Sequence, residues 1–128
     1  MEYYISKKLN SSFEEAVLKV TELLKVEGFG VLTEINLHEK FKEKLNVDFR
    51  KYRILGACNP AFAYKASQNE DKVGTMLPCN VIVQELAEND IEVAAVNPIA
   101  SMMAINNPAL EDIANEVLEK LKRVISGL

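Results

Sequence analysis

The alternation of apolar and polar positions divides this chain into a series of strands and helices. Tyr3 to Lys8 is short and β-prone. Phe13, Ala16, Val17, Val20, Leu23 and Leu24 then stand at offsets 0, 3, 4, 7, 10 and 11, one face of a 3.6-residue period, and predict an amphipathic helix. Ser12-x-x-Glu15 is a capping box at its start. Gly28 suits the left-handed residue that ends such a helix. Gly30 to Ile35 reads as a strand, Leu37 to Leu45 as a short charged helix or turn, and Phe49 to Ala57 as a second good strand, with Tyr52, Ile54 and Gly56 on one face.

Asn59-Pro60 pairs a capping side chain with a proline at the first helical position and starts a helix through about Ala66. Ser67 to Asp71 is a polar break and Gly74 a further turn. Pro78 opens a strand to about Leu86, and Glu88-Asn89-Asp90 turns the chain tightly into a strand from Ile91 to Val96. Asn97 to Asn106 reads as a loop holding Pro98 and an exposed-looking Met102-Met103 pair, either a flexible lid or, more simply, apolar loop residues over the core. Asn107-Pro108 repeats the cap-plus-proline start. Leu110, Ile113, Ala114, Val117, Leu118, Leu121, Val124 and Ile125 then form the apolar stripe of a long helix to about Ser126, leaving Glu111, Asn115, Glu119 and Lys122 to solvent. The order is β-α-β-(α)-β-α-β-β-α. Strands joined by a tight turn must be antiparallel. The expected fold is therefore α+β: a two-layer sandwich with a mostly antiparallel sheet of about five strands and helices packed on one face.

With 128 residues the chain fits a single domain, 1–128, large enough to bury about two thirds of the surface its unfolded form exposes. It needs no metal or disulfide to fold. The net charge of −4, with basic residues scattered among acidic ones as in Glu39 to Lys44, argues against a nucleic-acid partner, which requires a clustered basic surface. No run approaches the roughly 20 apolar residues of a membrane helix, and Met1-Glu2-Tyr3-Tyr4 does not begin a signal peptide. The expected compartment is the cytoplasm, where two cysteines remain thiols.

Four features appear together in this order: Glu27-Gly28-Phe29-Gly30-Val31-Leu32-Thr33-Glu34-Ile35, then Tyr52-Arg53-Ile54-Leu55-Gly56-Ala57-Cys58-Asn59-Pro60, then Leu77-Pro78-Cys79-Asn80-Val81, and the closing amphipathic helix. The set resembles domain of unknown function family 302 over nearly the whole chain. The resemblance implies a compact α+β domain of bacteria and archaea that forms a dimer, and it implies no activity. Met102, Met103 and Ile105 are apolar residues that could cover a partner copy in a two-fold homodimer.

The candidate chemistry gathers at two Cys-Asn steps, each beside a proline and at a strand boundary: Cys58-Asn59 and Cys79-Asn80. A helix starting at Pro60 would place amides and a positive dipole end near Cys58. Antiparallel pairing of the two strands would let both thiols face one crevice; parallel pairing would separate them by a strand length. The ligand-binding candidates are Cys58, Asn59, Cys79, Asn80 and Glu34. A metal would take Cys58, Cys79 and His38, the only histidine, and would still want more ligands. The spacing is not Cys-x-x-Cys, so zinc-ribbon and thioredoxin chemistry lack their usual frame.

Three readings stay open: a small binding domain with a ligand or metal site at the cysteines, a thiol redox protein or cysteine enzyme, and a structural homodimer whose cysteines merely pack. No catalytic motif and no cofactor signature is present. Gly28-Phe29-Gly30 precedes a strand and lacks the third glycine of a nucleotide-binding turn. Glu34 and His38 read as surface residues more readily than as ligands, and Arg53 as a side chain leaving the sheet that could bind an anion.

Overall fold

A computed structural model describes residues 2–128. The elements are β1 (Tyr4–Leu9), α1 (Phe13–Val26), β2 (Gly30–Asn36), α2 (Leu37–Leu45), β3 (Tyr52–Cys58), α3 (Pro60–Asn69), a 3-10 turn (Val73–Met76), β4 (Cys79–Ala87), β5 (Asp90–Val96), α4 (Pro98–Met102) and α5 (Ala109–Ser126). The five strands form one sheet in the order β1-β5-β4-β3-β2, with every neighbouring pair antiparallel. The α+β sandwich expected from the hydrophobic pattern is the observed fold.

Local chemistry sets the boundaries of α1. Ser12 Oγ accepts the Glu15 amide at 3.2 Å, satisfying one of the donors that a helix start leaves orphaned. Gly28 closes the other end at φ +87°, a conformation that costs a side-chain-bearing residue 1–2 kcal/mol, by order of magnitude about. Tight hairpin geometry between β4 and β5 places Asn89 at φ 58°.

The sheet uses its two faces differently. Leu55, Ala57, Val81, Val83, Ile91, Val93 and Ala95 point to one side and are buried beneath α1 and α5. Those helices contribute Ala16, Val17, Val20, Leu24, Val117, Leu121 and Val124. Leu24, Leu55, Ile91 and Leu121 are fully buried, each worth about 1.5–3 kcal/mol in transfer free energy. Glu111, Asn115, Glu119 and Lys122 face solvent, as the α5 periodicity requires.

The opposite face carries Tyr52, Ile54, Gly56, Ile82, Gln84, Ala94 and Val96 and no covering helix layer. Its polar centre is a chain of hydrogen bonds. Arg50 Nε donates to Gln84 Oε1 and Gln84 Nε2 donates to Glu92 Oε1, both at 2.8 Å.

Two expectations require correction. Residues 97–106 are not simply a loop: Asn97 accepts the Ile99 amide at 3.0 Å and caps the short helix α4. Met102 and Ile105 turn inward against a second small core of Ala66, Val73 and Leu110, leaving Met103 alone of the methionine pair exposed. Arg53 is not free for an anion. Its register with Val83 turns it toward the helix layer, where it donates to Asn36 Oδ1 at 2.7 Å and to Glu14 Oε1 at 3.1 Å.

Candidate functional site

Antiparallel pairing of β3 and β4 decides the geometry of the cysteines. Ala57 stands directly opposite Cys79, and Cys58 is the next residue along β3. Ladder spacing then puts the two Cα atoms roughly 6 Å apart. Strict alternation would send Cys58 and Cys79 to opposite faces. Instead β3 ends at Cys58, the chain turns into α3, and both cysteines line one pocket. The meeting point is at the strand ends in the middle of the sheet, not at a lateral edge, because β3 and β4 are both flanked.

The pocket has a volume of ≈ 40 Å³. Its walls are almost wholly apolar: Phe29, Phe62, Leu77, Pro98, Met102 and Val117 enclose the two half-buried thiols. Its volume is that of one or two waters rather than the 300–1,000 Å³, by order of magnitude about, of a metabolite site. Burial pushes the Cys79 thiol up to about 11, and a charge on neighbouring Cys58 pushes it the same way. Cys79 is therefore protonated at neutral pH. That is the reverse of the depressed value an activated cysteine nucleophile needs.

Close packing beside the pocket explains its setting. The Leu77–Pro78 bond is cis, and the Pro78 ring lies over Gly56. A Cβ on Gly56 would meet Pro78 Cγ at 2.8 Å and collide with Thr33 Oγ1. This position takes glycine because of close approach, since no positive φ is involved.

The remaining candidates disperse. Asn59 lines the pocket but does not cap α3; its Nδ2 donates to the Glu27 carbonyl at 3.3 Å, tying the end of α1 to the start of α3. Asn80, opposite Gly56, is exposed and borders the uncovered sheet face together with Ile82 and Tyr52. Glu34 is exposed on edge strand β2, opposite Leu55 and so three residues along the ladder from Cys58. His38 lies at the far end of β3, where its Nδ1 accepts the Tyr52 amide at 2.9 Å. Six strand residues, roughly 20 Å, separate it from Cys58.

The expected metal set of Cys58, Cys79 and His38 is therefore not assembled. Among the described residues no group of three or more His, Cys, Asp and Glu side chains could hold an ion together. What the sequence reading missed is Met102, a sulfur-bearing residue of α4 that lines the pocket alongside the two cysteines.

The profile of the family described as "Domain of unknown function DUF302" matches residues 5–128. The chain belongs to the DUF302 family. The DUF302 fold is equally plain in three dimensions. The chain is similar to the crystal structure of an uncharacterized conserved protein DUF302 from Bacillus stearothermophilus, at 28% identity and a TM-score of 0.90, covering 98% of each chain. A comparison with curated proteins gives no match. No helix among the described residues is long and apolar enough to cross a membrane.

Proposed function

We propose that this DUF302 protein is a small binding domain whose site is the thiol-lined pocket at the meeting of β3, β4 and α3, and that it takes a compact thiophilic ligand in a reducing compartment such as the cytoplasm. One observation carries this reading: Cys58 and Cys79, twenty-one positions apart, converge on a single apolar pocket of ≈ 40 Å³. So small a volume excludes a metabolite. The raised Cys79 thiol argues against nucleophilic catalysis by that residue. Native mass spectrometry after titration with Ag(I) tests the reading. One ion per chain is expected, and none in Cys58→Ser or Cys79→Ser. Equal silver uptake by the wild type and either variant would refute it.

A redox pair is the second reading, favoured by the ladder geometry, because Cα atoms roughly 6 Å apart fall within disulfide reach. Oxidised glutathione would then convert the wild type to a species lighter by two hydrogens; retention of both free thiols would exclude it.

For assembly we propose a two-fold homodimer across the uncovered sheet face. Half-buried Ile54, Ile82 and Val96 would bury against a second copy. Arg50 and Glu92 on the same face provide opposite charges that a two-fold axis can cross-pair. Light scattering at tens of micromolar should give twice the chain mass, and a monomer there would count against it.

A further inference from the structure

Building on the thiol-pocket reading, we propose that the ligand is a single soft monovalent cation of the copper(I) type, held by three sulfurs: Cys58, Cys79 and Met102. The donor set decides the class. Thiolate and thioether sulfur favour copper(I), whereas magnesium, calcium and manganese want oxygen. Zinc also accepts thiolates, yet its structural sites are closed by four ligands. Among the described residues no histidine, aspartate or glutamate joins the two cysteines to make even a third ligand of those types. The remaining wall is hydrocarbon from Phe29, Phe62, Leu77 and Pro98. Copper(I) is satisfied by two or three soft donors, and a dry wall excludes the water and oxygen ligands that would favour harder ions. A pocket of ≈ 40 Å³ admits a bare ion and little else.

Charge balance is explicit. Two S–H protons leave to solvent as two copper–thiolate bonds form; the thioether of Met102 adds a neutral donor, and copper stays monovalent throughout. The product carries one net negative charge. The first turn of α3 is placed to receive it: Asn59, Phe62 and Ala63 line the same pocket, and no side chain caps that helix start. The partial positive charge of an uncapped helix start therefore lies beside the pocket and favours an anionic complex there. Proline at the first position removes one donor, leaving those of Ala61 and Phe62. Met102 belongs to the last turn of α4, a five-residue helix followed by exposed Met103 and Ala104. The third sulfur thus comes from a segment separate from the sheet ends that supply the thiols.

The test uses the whole chain, reduced and anaerobic, in competition with the chelator bathocuproine disulfonate for Cu(I). X-ray absorption counts the sulfurs, and circular dichroism verifies each variant's fold. The wild type should take one Cu(I) with three sulfur neighbours. Met102→Leu should keep one Cu(I) with two sulfurs and bind at least about tenfold more weakly, the usual scale for losing a supporting interaction at a metal. Cys58→Ser should take none. If Met102→Leu binds as tightly and with the same sulfur count as the wild type, the three-sulfur site is overturned while the thiol-pocket reading stands. If the wild type takes Ag(I) at the cysteines but no Cu(I), the copper assignment alone falls. If neither ion binds, or both bind equally in Cys58→Ser, the pocket reading falls with it.

Discussion

Alkaline pH should destabilise this protein through one buried thiol. Cys79 titrates near 9.0 when unburied and near 11 in the folded chain. Below pH 9 both states hold the proton, and the thiol contributes its full stability. Between pH 9 and 11 the unfolded chain releases the proton while the folded chain keeps it. Stability then falls with rising pH by about 1.4 kcal/mol per pH unit. Across this window the loss is about 2–3 kcal/mol, and above pH 11 the contribution is gone. The perturbation is Cys79→Ala, measured beside the wild type in urea melts at pH 8, 9, 10 and 11. Other groups are common to both proteins, so the difference between the two curves isolates the contribution of the Cys79 side chain. At pH 8 the variant should be less stable by about 1 kcal/mol, the usual scale of a small core truncation. By pH 11 the order should invert. Parallel stability curves over the whole range would show that Cys79 is not desolvated in the folded state, and the account of the pocket as dry would fail with it.

Close approach at Gly56 predicts that Gly56→Ala costs about 1–3 kcal/mol in a denaturant melt, while Gly30→Ala, whose Cβ would meet nothing within 4 Å, stays near neutral; equal effects would refute the packing argument. Leu121→Ala, at a fully buried position of α5, should lose about 2–5 kcal/mol, and Glu119→Ala on the solvent side of the same helix less than about 0.5 kcal/mol; a reversed order in the same melts would mean the face is misassigned. The hydrogen bond from Arg123 lowers the Glu27 carboxyl below 4.5, with Lys120 adding attraction, so its contribution is present above that value and lost as pH falls further. Glu27→Gln should accordingly flatten the acid limb of the thermal stability curve, and an unchanged acid limb would contradict the pairing.

Periodicity carried most of the fold. The stripes of α1 and α5 recur over fourteen and eighteen residues, so each turn repeats the same evidence. α4 escaped because five residues hold no period. Its start was nevertheless written in the chain: Asn97-Pro98 is the same pair that opens α3 at Asn59-Pro60 and stands before α5 at Asn107-Pro108. The three asparagines then serve differently. Asn97 and Asn107 accept the amides two residues on, whereas Asn59 turns away to the Glu27 carbonyl. That choice depends on the arrival of Gly28 in space, which no local pattern encodes.

The candidate site was legible in its two cysteines and not in their relation. Twenty residues between Cys58 and Cys79 permit parallel or antiparallel pairing, and register alone puts Ala57 opposite Cys79. Met102 read as loop because its contacts with Leu110 and Ala66 are tertiary. His38 illustrates the reverse error: a lone histidine drew attention as a ligand, while the fold sets it at the far end of β3 with its Nδ1 accepting the Tyr52 amide.

The pairing of β1 with β5 bears on how the chain is made. Tyr4 lies opposite Val96 and Leu9 opposite Ile91, so the first strand finds its partner 82 to 92 residues later. At about 5–20 residues per second of synthesis, β1 waits several seconds outside the ribosome with its backbone edge unpaired. The β4–β5 hairpin, closed by a two-residue turn, can form locally in microseconds once it emerges. Ser6, Lys7 and Lys8 interrupt the apolar residues of that waiting strand. Two adjacent positive charges discourage a second nascent chain from pairing there first, so the same lysines that line the finished sheet's edge also guard its assembly.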